Sequence, residues 1–343
     1  MTEIVPGAPD ILLLHRSVLE EALQHAVGSA DSALVAAARY VMGWEDEDGR
    51  PIDTGGKRIR PALCLFAAEA LGGSIEDALP GAVAVELVHN FSLVHDEVQD
   101  HDAERHHRPT IWARMGEAQA INVGDFLYTC SVRALTNAEG DAERRMRALS
   151  VLNDAIGRMI EGQWRDIAFE GKAQVTVGQY LDMVAGKTGA LLRAPLEIGA
   201  ILAGATDAEA NALGQWGAHV GAAFQAQDDY LGIWGNPEET GKSNTNDIAR
   251  RKKSLPIVHG GMDPVAASVI AEAYQKPEIG QTDVARVVRA LEVAGSNEYC
   301  RQRAREQAAE AGALLETLPF LADTPGLRQQ FQSIADYLVE RAS

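Results

Sequence analysis

Apolar residues recur at helical spacing through most of the chain, in Ala-rich and Leu-rich segments with few β-branched runs, which predicts helix throughout. A first helix is expected over Ile11 to Val27, with Leu12, Leu19, Ala22, Leu23 and Val27 on its apolar stripe, and a second over Ala33 to Met42. Gly43 to Gly56 reads as a loop, and the next helix runs from about Arg58 to Leu71, stopped by Gly72-Gly73. Further helices are expected to end in the apolar stretch after Glu86 and to cover Glu117 to Leu135, Ala142 to Glu170 and Tyr180 to Leu202. Another apolar helical run ends at Asp228-Asp229. Val265–Tyr274, Thr282–Ala294, Glu298–Thr317 and Gly326–Ala342 follow, divided by Pro277, Gly295 and Pro319. Gly186 and Gly189 flank Lys187-Thr188 and weaken the helix there, which predicts a kink that turns both side chains towards a ligand. Residues 1–9 read as a loose tail. With no solenoid repeat and no low-complexity linker, the expectation is one all-α domain over 1–343.

Two stretches break the amphipathic pattern with chemistry. The segment Glu86 to Thr110 begins as an apolar helix and ends in a dense run of acids and bases. Asp96 and Asp100 are four residues apart, so they stand about 40° from one another on one helical face. His89 falls within about 20° of the same line. Two carboxylates one turn apart suit a hard divalent cation such as Mg2+, and the bases Arg105 and Arg108 suit an anion bridged to it. A solvated helix end reads the same way when taken alone. Between Gly221 and Pro256 the arrangement returns: an apolar helix, then Asp228 and Asp229, then Lys242, Lys252 and Lys253. Two such clusters facing one cavity would hold several magnesium ions around one diphosphate.

Charge and composition narrow the partners. A net charge of −18 argues against nucleic acid and against anionic membrane surfaces, and makes the few basic clusters more telling. No apolar run approaches the ~18 residues needed to span a bilayer, and the N-terminus lacks a signal peptide's basic start. Cys64, Cys130 and Cys300 have neither zinc spacing nor a disulfide pattern, so a reduced, cytoplasmic protein is expected.

The motifs resemble those of the trans-isoprenyl diphosphate synthases, the polyprenyl synthetase family. Gly55-Gly56-Lys57-Arg58-Ile59-Arg60-Pro61 is similar to its GGKxxRP, Gly162 to Asp166 to its GQxxD, Gly186-Lys187-Thr188 to its GKT, and Phe224 to Asp229 to its FQxxDD, in the family's order. The resemblance implies an isoprenoid synthase helical bundle around a central cavity, commonly a homodimer, with the helix near Ile121 to Leu127 a candidate interface. It implies condensation of an allylic diphosphate (dimethylallyl, geranyl or farnesyl) with isopentenyl diphosphate. By the same carry-over, Asp96, Asp100 and Asp228 are the Mg2+ ligands and, with Lys187, the catalytic set. Arg105, Lys187, Thr188, Gln225, Lys242 and Lys252 contact the allylic diphosphate or its metals, and Lys57, Arg60 and His89 hold isopentenyl diphosphate.

This chain departs from the pattern at three places. Glu97 stands where DDxxD has its second Asp and, projecting about 100° from Asp96, is expected to matter little. His106 stands at the second arginine of the basic loop, with less charge and no bidentate fork; Arg108 is a candidate to compensate. Gly232 replaces the last Asp of the second motif. The rival readings are a class I terpene cyclase on the same scaffold, which would not need Lys57, Arg60 and His89, and a non-catalytic synthase subunit. Product length rests on Phe91 and Ser92, five and four residues before Asp96. A bulky residue five before limits elongation in the family, which implies a geranylgeranyl or farnesyl product.

Overall fold

The computed structural model describes residues 9–54, 56–105, 107–235 and 246–340. Their helices are α1 (Arg16–Val27), α2 (Ala33–Val41), α3 (Ile59–Ala70), α4 (Ile75–Gln99), α5 (Ile111–Met115), α6 (Glu117–Thr136), α7 (Ala142–Glu170), α8 (Val177–Val184), α9 (Ala190–Ala203) and α10 (Asp207–Trp234). After these come α11 (Asn246–Ala249), α12 (Leu255–Gly260), α13 (Pro264–Tyr274), α14 (Gln281–Val293), α15 (Ser296–Thr317) and α16 (Pro325–Glu340). Within Arg105 to Pro109, read from sequence as a loop, two-residue strands β1 (Glu104–Arg105) and β2 (Arg108–Pro109) pair antiparallel, Arg105 opposite Arg108. Among the described residues no helix is long and apolar enough to cross a membrane. The chain divides into two compact units, one of Met1–Asp154 with Ala194–Gly214, the other of Ala155–Arg193 with Gln215–Ser343.

In the first unit, α4 is the central element, packed mainly against α6 and α3. Ser74 caps its start by accepting from the Asp77 amide at 3.1 Å, and Glu76 and Asp77 favour the positive end of the helix dipole. Its middle is buried almost all round, from Gly81 to Val88, so no amphipathic stripe marks its beginning at Ile75. Leu87 and Val88 are fully buried, each worth about 1.5–3 kcal/mol relative to exposure. The register of α3 on α4 is fixed by an ionic cluster. Arg58 begins α3 in the left-handed region (φ 50°). Its guanidinium donates to Glu20 at 2.8 Å, to Glu86 at 2.7 Å and to the Met42 carbonyl at 2.9 Å. Asn90 closes the cluster by donating to Glu86 at 3.0 Å. Removing one partner from a buried cluster of this kind leaves a charge uncompensated, so the sequence tolerates little change there.

The second unit is held by an apolar cluster that brings α8, α10, α12 and α15 together. Tyr180, Met183 and Val184 meet Ala226, Leu255, Val258, Cys300 and Ala304, all buried. Trp216, fully buried, meets Phe331 edge to face with ring centroids 5.1 Å apart, which seats α16 on α10. Where the sequence predicts a kink, the helix is interrupted by a π-helical turn at Ala185–Gly189 that joins α8 to α9. Such turns are short and recur at functional sites.

Candidate active site

In the first unit, Asp96 and Asp100 sit at the carboxyl end of α4, both half-buried, and the Asp100 amide bonds to the Asp96 carbonyl at 2.8 Å. Acids at this end oppose the helix dipole by roughly 0.3–1 kcal/mol each, a penalty that a bound cation relieves. Among the described residues no group of three or more metal-ligating side chains converges. A pair of carboxylates still fits Mg2+, which keeps several waters and binds through one or two carboxylates plus substrate oxygens. The donor set is therefore right for magnesium and wrong for zinc.

Glu97 turns away from Asp96, as the helical wheel predicts, but into the protein rather than into solvent. It is 7 % exposed and its carboxylate accepts from Arg105 Nε at 2.7 Å. Burial raises its pKa, against the pull of Arg105. Far from being incidental, it anchors the first cation of the basic loop. The sequence could not show this, because the contact depends on β1 turning back beside α4.

On the same unit, Arg60 and His89 come together, with Nη1 of the guanidinium 3.2 Å from Nε2 of the imidazole. Burial, then the cations Arg60, Arg105 and Arg58, hold the His89 pKa well below its usual value, so His89 is neutral and accepts. The Arg60 Nε is buried without a hydrogen-bond partner among the described residues. Lys57 is exposed one residue before Arg58. Phe91 is buried, edge-on to His95 at 5.0 Å and 5.8 Å from the Tyr128 ring of α6. Ser92, half-buried, donates to the His89 carbonyl at 2.7 Å.

In the second unit, the π-helical turn crosses α7 at very short range. A Cβ on Gly162 would lie 2.3 Å from the Lys187 amide nitrogen, and one on Gly186 would lie 2.7 Å from the Arg158 carbonyl. Only glycine permits this crossing, and it accounts physically for both motif glycines. It brings Lys187 Nζ to 2.7 Å from Asp166. Thr188 Oγ1 donates to Gln225 Oε1 at 2.9 Å, and Gln225 Nε2 donates to Asp229 Oδ1 at 3.0 Å. Asp229 Oδ2 accepts from the Tyr180 hydroxyl and, at 3.0 Å, from the Leu255 amide. Burial lifts the Asp229 pKa to about 7 in spite of these donors. Asp228, its neighbour, is half-buried. Asp229 was read from sequence only as the second acid of its pair, and Tyr180 was not singled out as a site residue; the two are 49 residues apart, and nothing local pairs them.

Other expectations fare differently. Gly55, His106 and Lys242 lie outside the described residues. Arg108 is not a spare cation: it donates to Thr54 at 3.1 Å and to the Glu45 carbonyl at 2.8 Å, and stacks on Tyr40. Lys252 is exposed, and its amide bonds to the Asp247 carbonyl at 2.9 Å. A Cβ on Gly232 would lie 2.8 Å from Asp247 Oδ2, so a carboxylate already stands beside the position that lacks its aspartate. Val123 and Leu127, on the suggested interface helix, are buried within the chain, and Ile121 is 45 % exposed.

The polyprenyl synthetase family model matches residues 50–291. The chain is 38% identical over 338 residues to a (2E,6E)-farnesyl diphosphate synthase of Mycobacterium bovis, covering 96% of this chain and 92% of that protein. It is 40% identical over 308 residues to a geranylgeranyl diphosphate synthase of Mycobacterium tuberculosis, covering 89% of this chain and 87% of the other. The crystal structure of a polyprenyl synthetase from Streptomyces coelicolor superposes with a TM-score of 0.89 at 36% identity, covering 96% of this chain and 99% of that one. The motifs, the all-helical fold and these matches together make the chain a member of the polyprenyl synthetase family.

Proposed function

We propose that the chain is a short-chain trans-prenyltransferase that condenses an allylic diphosphate with isopentenyl diphosphate, forming geranylgeranyl or farnesyl diphosphate. Both products are named among its relatives. The observation that carries the reading is Arg60. Its cation is half-buried, its hydrogen-bonding neighbour is the neutral His89, and its Nε has no partner among the described residues. The one acid that acts on it, Glu86, is already bonded to Arg58 at 2.7 Å, and a diphosphate is the ligand that offsets the cost of desolvating this second guanidinium. A cyclase that never binds isopentenyl diphosphate has no use for this arrangement.

In the reaction, the allylic carbon–oxygen bond breaks and its electron pair leaves with the diphosphate. The isopentenyl double bond then attacks the allylic carbon, and a proton passes from the new cation to the released diphosphate. Asp96, Asp100 and Asp228 are the residues that would hold magnesium, which would supply Lewis-acid neutralisation of the leaving group. Lys187, Thr188, Gln225, Lys242 and Lys252 hold the allylic diphosphate, with Arg105 oriented by Glu97. Lys57, Arg60 and His89 hold isopentenyl diphosphate, and the apolar helix faces keep water from the cation. No side-chain base is required. We place the enzyme in the cytoplasm, as one functional domain over 1–343 and as a homodimer.

The test is direct: the pure protein is incubated with magnesium, an allylic diphosphate and isopentenyl diphosphate, and the products are weighed by mass spectrometry. A product longer than the allylic substrate by five carbons or a multiple of five supports the reading. A cyclised hydrocarbon without incorporated isopentenyl units overturns it.

A further inference from the structure

The first long helix of the chain holds the loop that presents Lys57. We propose that Arg16, which opens α1, is a positioning residue for isopentenyl diphosphate: by gripping the Gly56 carbonyl it fixes the backbone from which Lys57 projects. The proposal rests on the functional reading just given, and adds to it a residue outside the region 50–291 that matches the family.

The grip is made on both sides of Lys57. Arg16 Nη2 donates to the Gly56 carbonyl at 3.0 Å and lies 3.9 Å from the Asp53 carboxylate of the same loop. One turn further along α1, Glu20 accepts from Arg58 Nε at 2.8 Å. Residues four apart share a helical face, so one face of α1 holds the residue before Lys57 and the residue after it. Both held residues have left-handed backbones, Gly56 at φ 73° and Arg58 at φ 50°. Glycine adopts that region freely, whereas arginine keeps it only where its surroundings over-determine it. Lys57 itself is exposed and carries its charge on a flexible four-carbon stem, so its ammonium is placed only as well as its backbone is.

Helix stability does not account for Arg16. It is the first residue of α1, whose first turn has no acid, and a cation there is repelled by the positive end of the helix dipole. Its side chain is only 16 % exposed, so the charge loses hydration as well. What offsets both is outside the helix, in the loop that Arg16 binds. Without that contact, the Gly56 carbonyl and the turn into Lys57 would be held from the Arg58 side alone.

Arg16→Met keeps a stem of similar reach and removes every donor. The expected result is a KM for isopentenyl diphosphate raised about tenfold, with the KM for the allylic diphosphate within twofold of wild type. In a Lys57→Ala background, where no amine remains to be placed, adding Arg16→Met changes the isopentenyl KM by less than twofold. A long-range effect of the lost charge would persist in that background, and a general loosening of the fold would raise both KM values together. Either result overturns the proposal, as does a wild-type isopentenyl KM in Arg16→Met. If Arg16→Met does not fold, Arg16→Gln is put through the same comparisons with the same expectations. A wild-type protein that yields no condensation product would remove the functional reading itself. Calorimetry with isopentenyl diphosphate on the same variants then decides the positioning role, and a wild type that does not bind it overturns that role too.

Discussion

Each acidic motif sets two adjacent acids to unlike tasks, and the two motifs do so with different chemistry. At the end of α4, Asp96 is half-buried while Glu97 is buried against Arg105. Towards the end of α10, Asp228 is half-buried while Asp229 is buried against three neutral donors. Successive helical residues diverge by about 100°, so one carboxylate of each pair faces outward and the other inward. The inward acid in the first unit holds a cation of the basic loop. The inward acid in the second unit holds an amide, a phenol and a helix amide. A long side chain suffices for the first task, since one ion pair tolerates several geometries, and this explains a glutamate at position 97. Three convergent donors demand the short, rigid aspartate at position 229.

The largest effect should come from the outward acids. Asp96→Ala and Asp228→Ala are each expected to lower kcat by two orders of magnitude or more, about 3–4 kcal/mol, by analogy with the loss of other electrostatic stabilisers. Thermal unfolding should stay near that of wild type, because neither side chain is fully buried. A fold lost with the activity would mean these acids are structural and the comparison is drawn wrongly.

An intermediate effect should come from Glu97→Gln, which keeps the shape and removes the charge that holds Arg105. Hydrogen bonds to charged groups are worth about 1.5–3 kcal/mol, and Arg105 is partly solvated, so roughly a tenfold fall in kcat/KM for the allylic substrate is expected. Steady-state kinetics with wild-type rates would show that Glu97 is the bystander the helical wheel suggested.

Product length depends on the first unit alone in this account. Phe91→Ala removes a ring packed on His95 and Tyr128, and the product mass should move up by five-carbon steps. Ser92→Phe should move it down. An unchanged product distribution from both variants would place the limit on elongation elsewhere. The smallest effect is expected of Gly232→Asp. Restoring the family residue would set a second carboxylate against Asp247, so kcat/KM should stay within about threefold of wild type or fall, never rise.

Much of this was legible in the chain, for physical reasons that vary by residue. The α7 helix, Ala142–Glu170, has the bounds its apolar spacing predicts. Gly186 and Gly189 marked the π-helical turn because poor helix formers beside Lys187 weaken the ladder there. Asp96 and Asp100 could be paired on sight because four residues make one turn. The short helices α5 and α12 carry too few residues to show a period, and α12 begins at Leu255-Pro256, which reads as a helix stop. The inward placement of Glu97 and Asp229 and the partners they meet there were not legible, because burial and partner are tertiary facts. Arg105 reaches Glu97 from β1, and Tyr180 reaches Asp229 from another helix. Arg108 misled for the same reason: its charge is visible in sequence, whereas its bonds to Thr54 and Glu45 are not.

The division of labour within a pair can be measured most directly at positions 228 and 229, by titrating magnesium into each variant and following allylic diphosphate binding by calorimetry. Asp228→Asn should shift the magnesium concentration for half-maximal binding upward by tenfold or more. Asp229→Asn should leave that midpoint within twofold of wild type. A midpoint that moves with Asp229→Asn and stays fixed with Asp228→Asn would contradict the assignment of ligand and anchor.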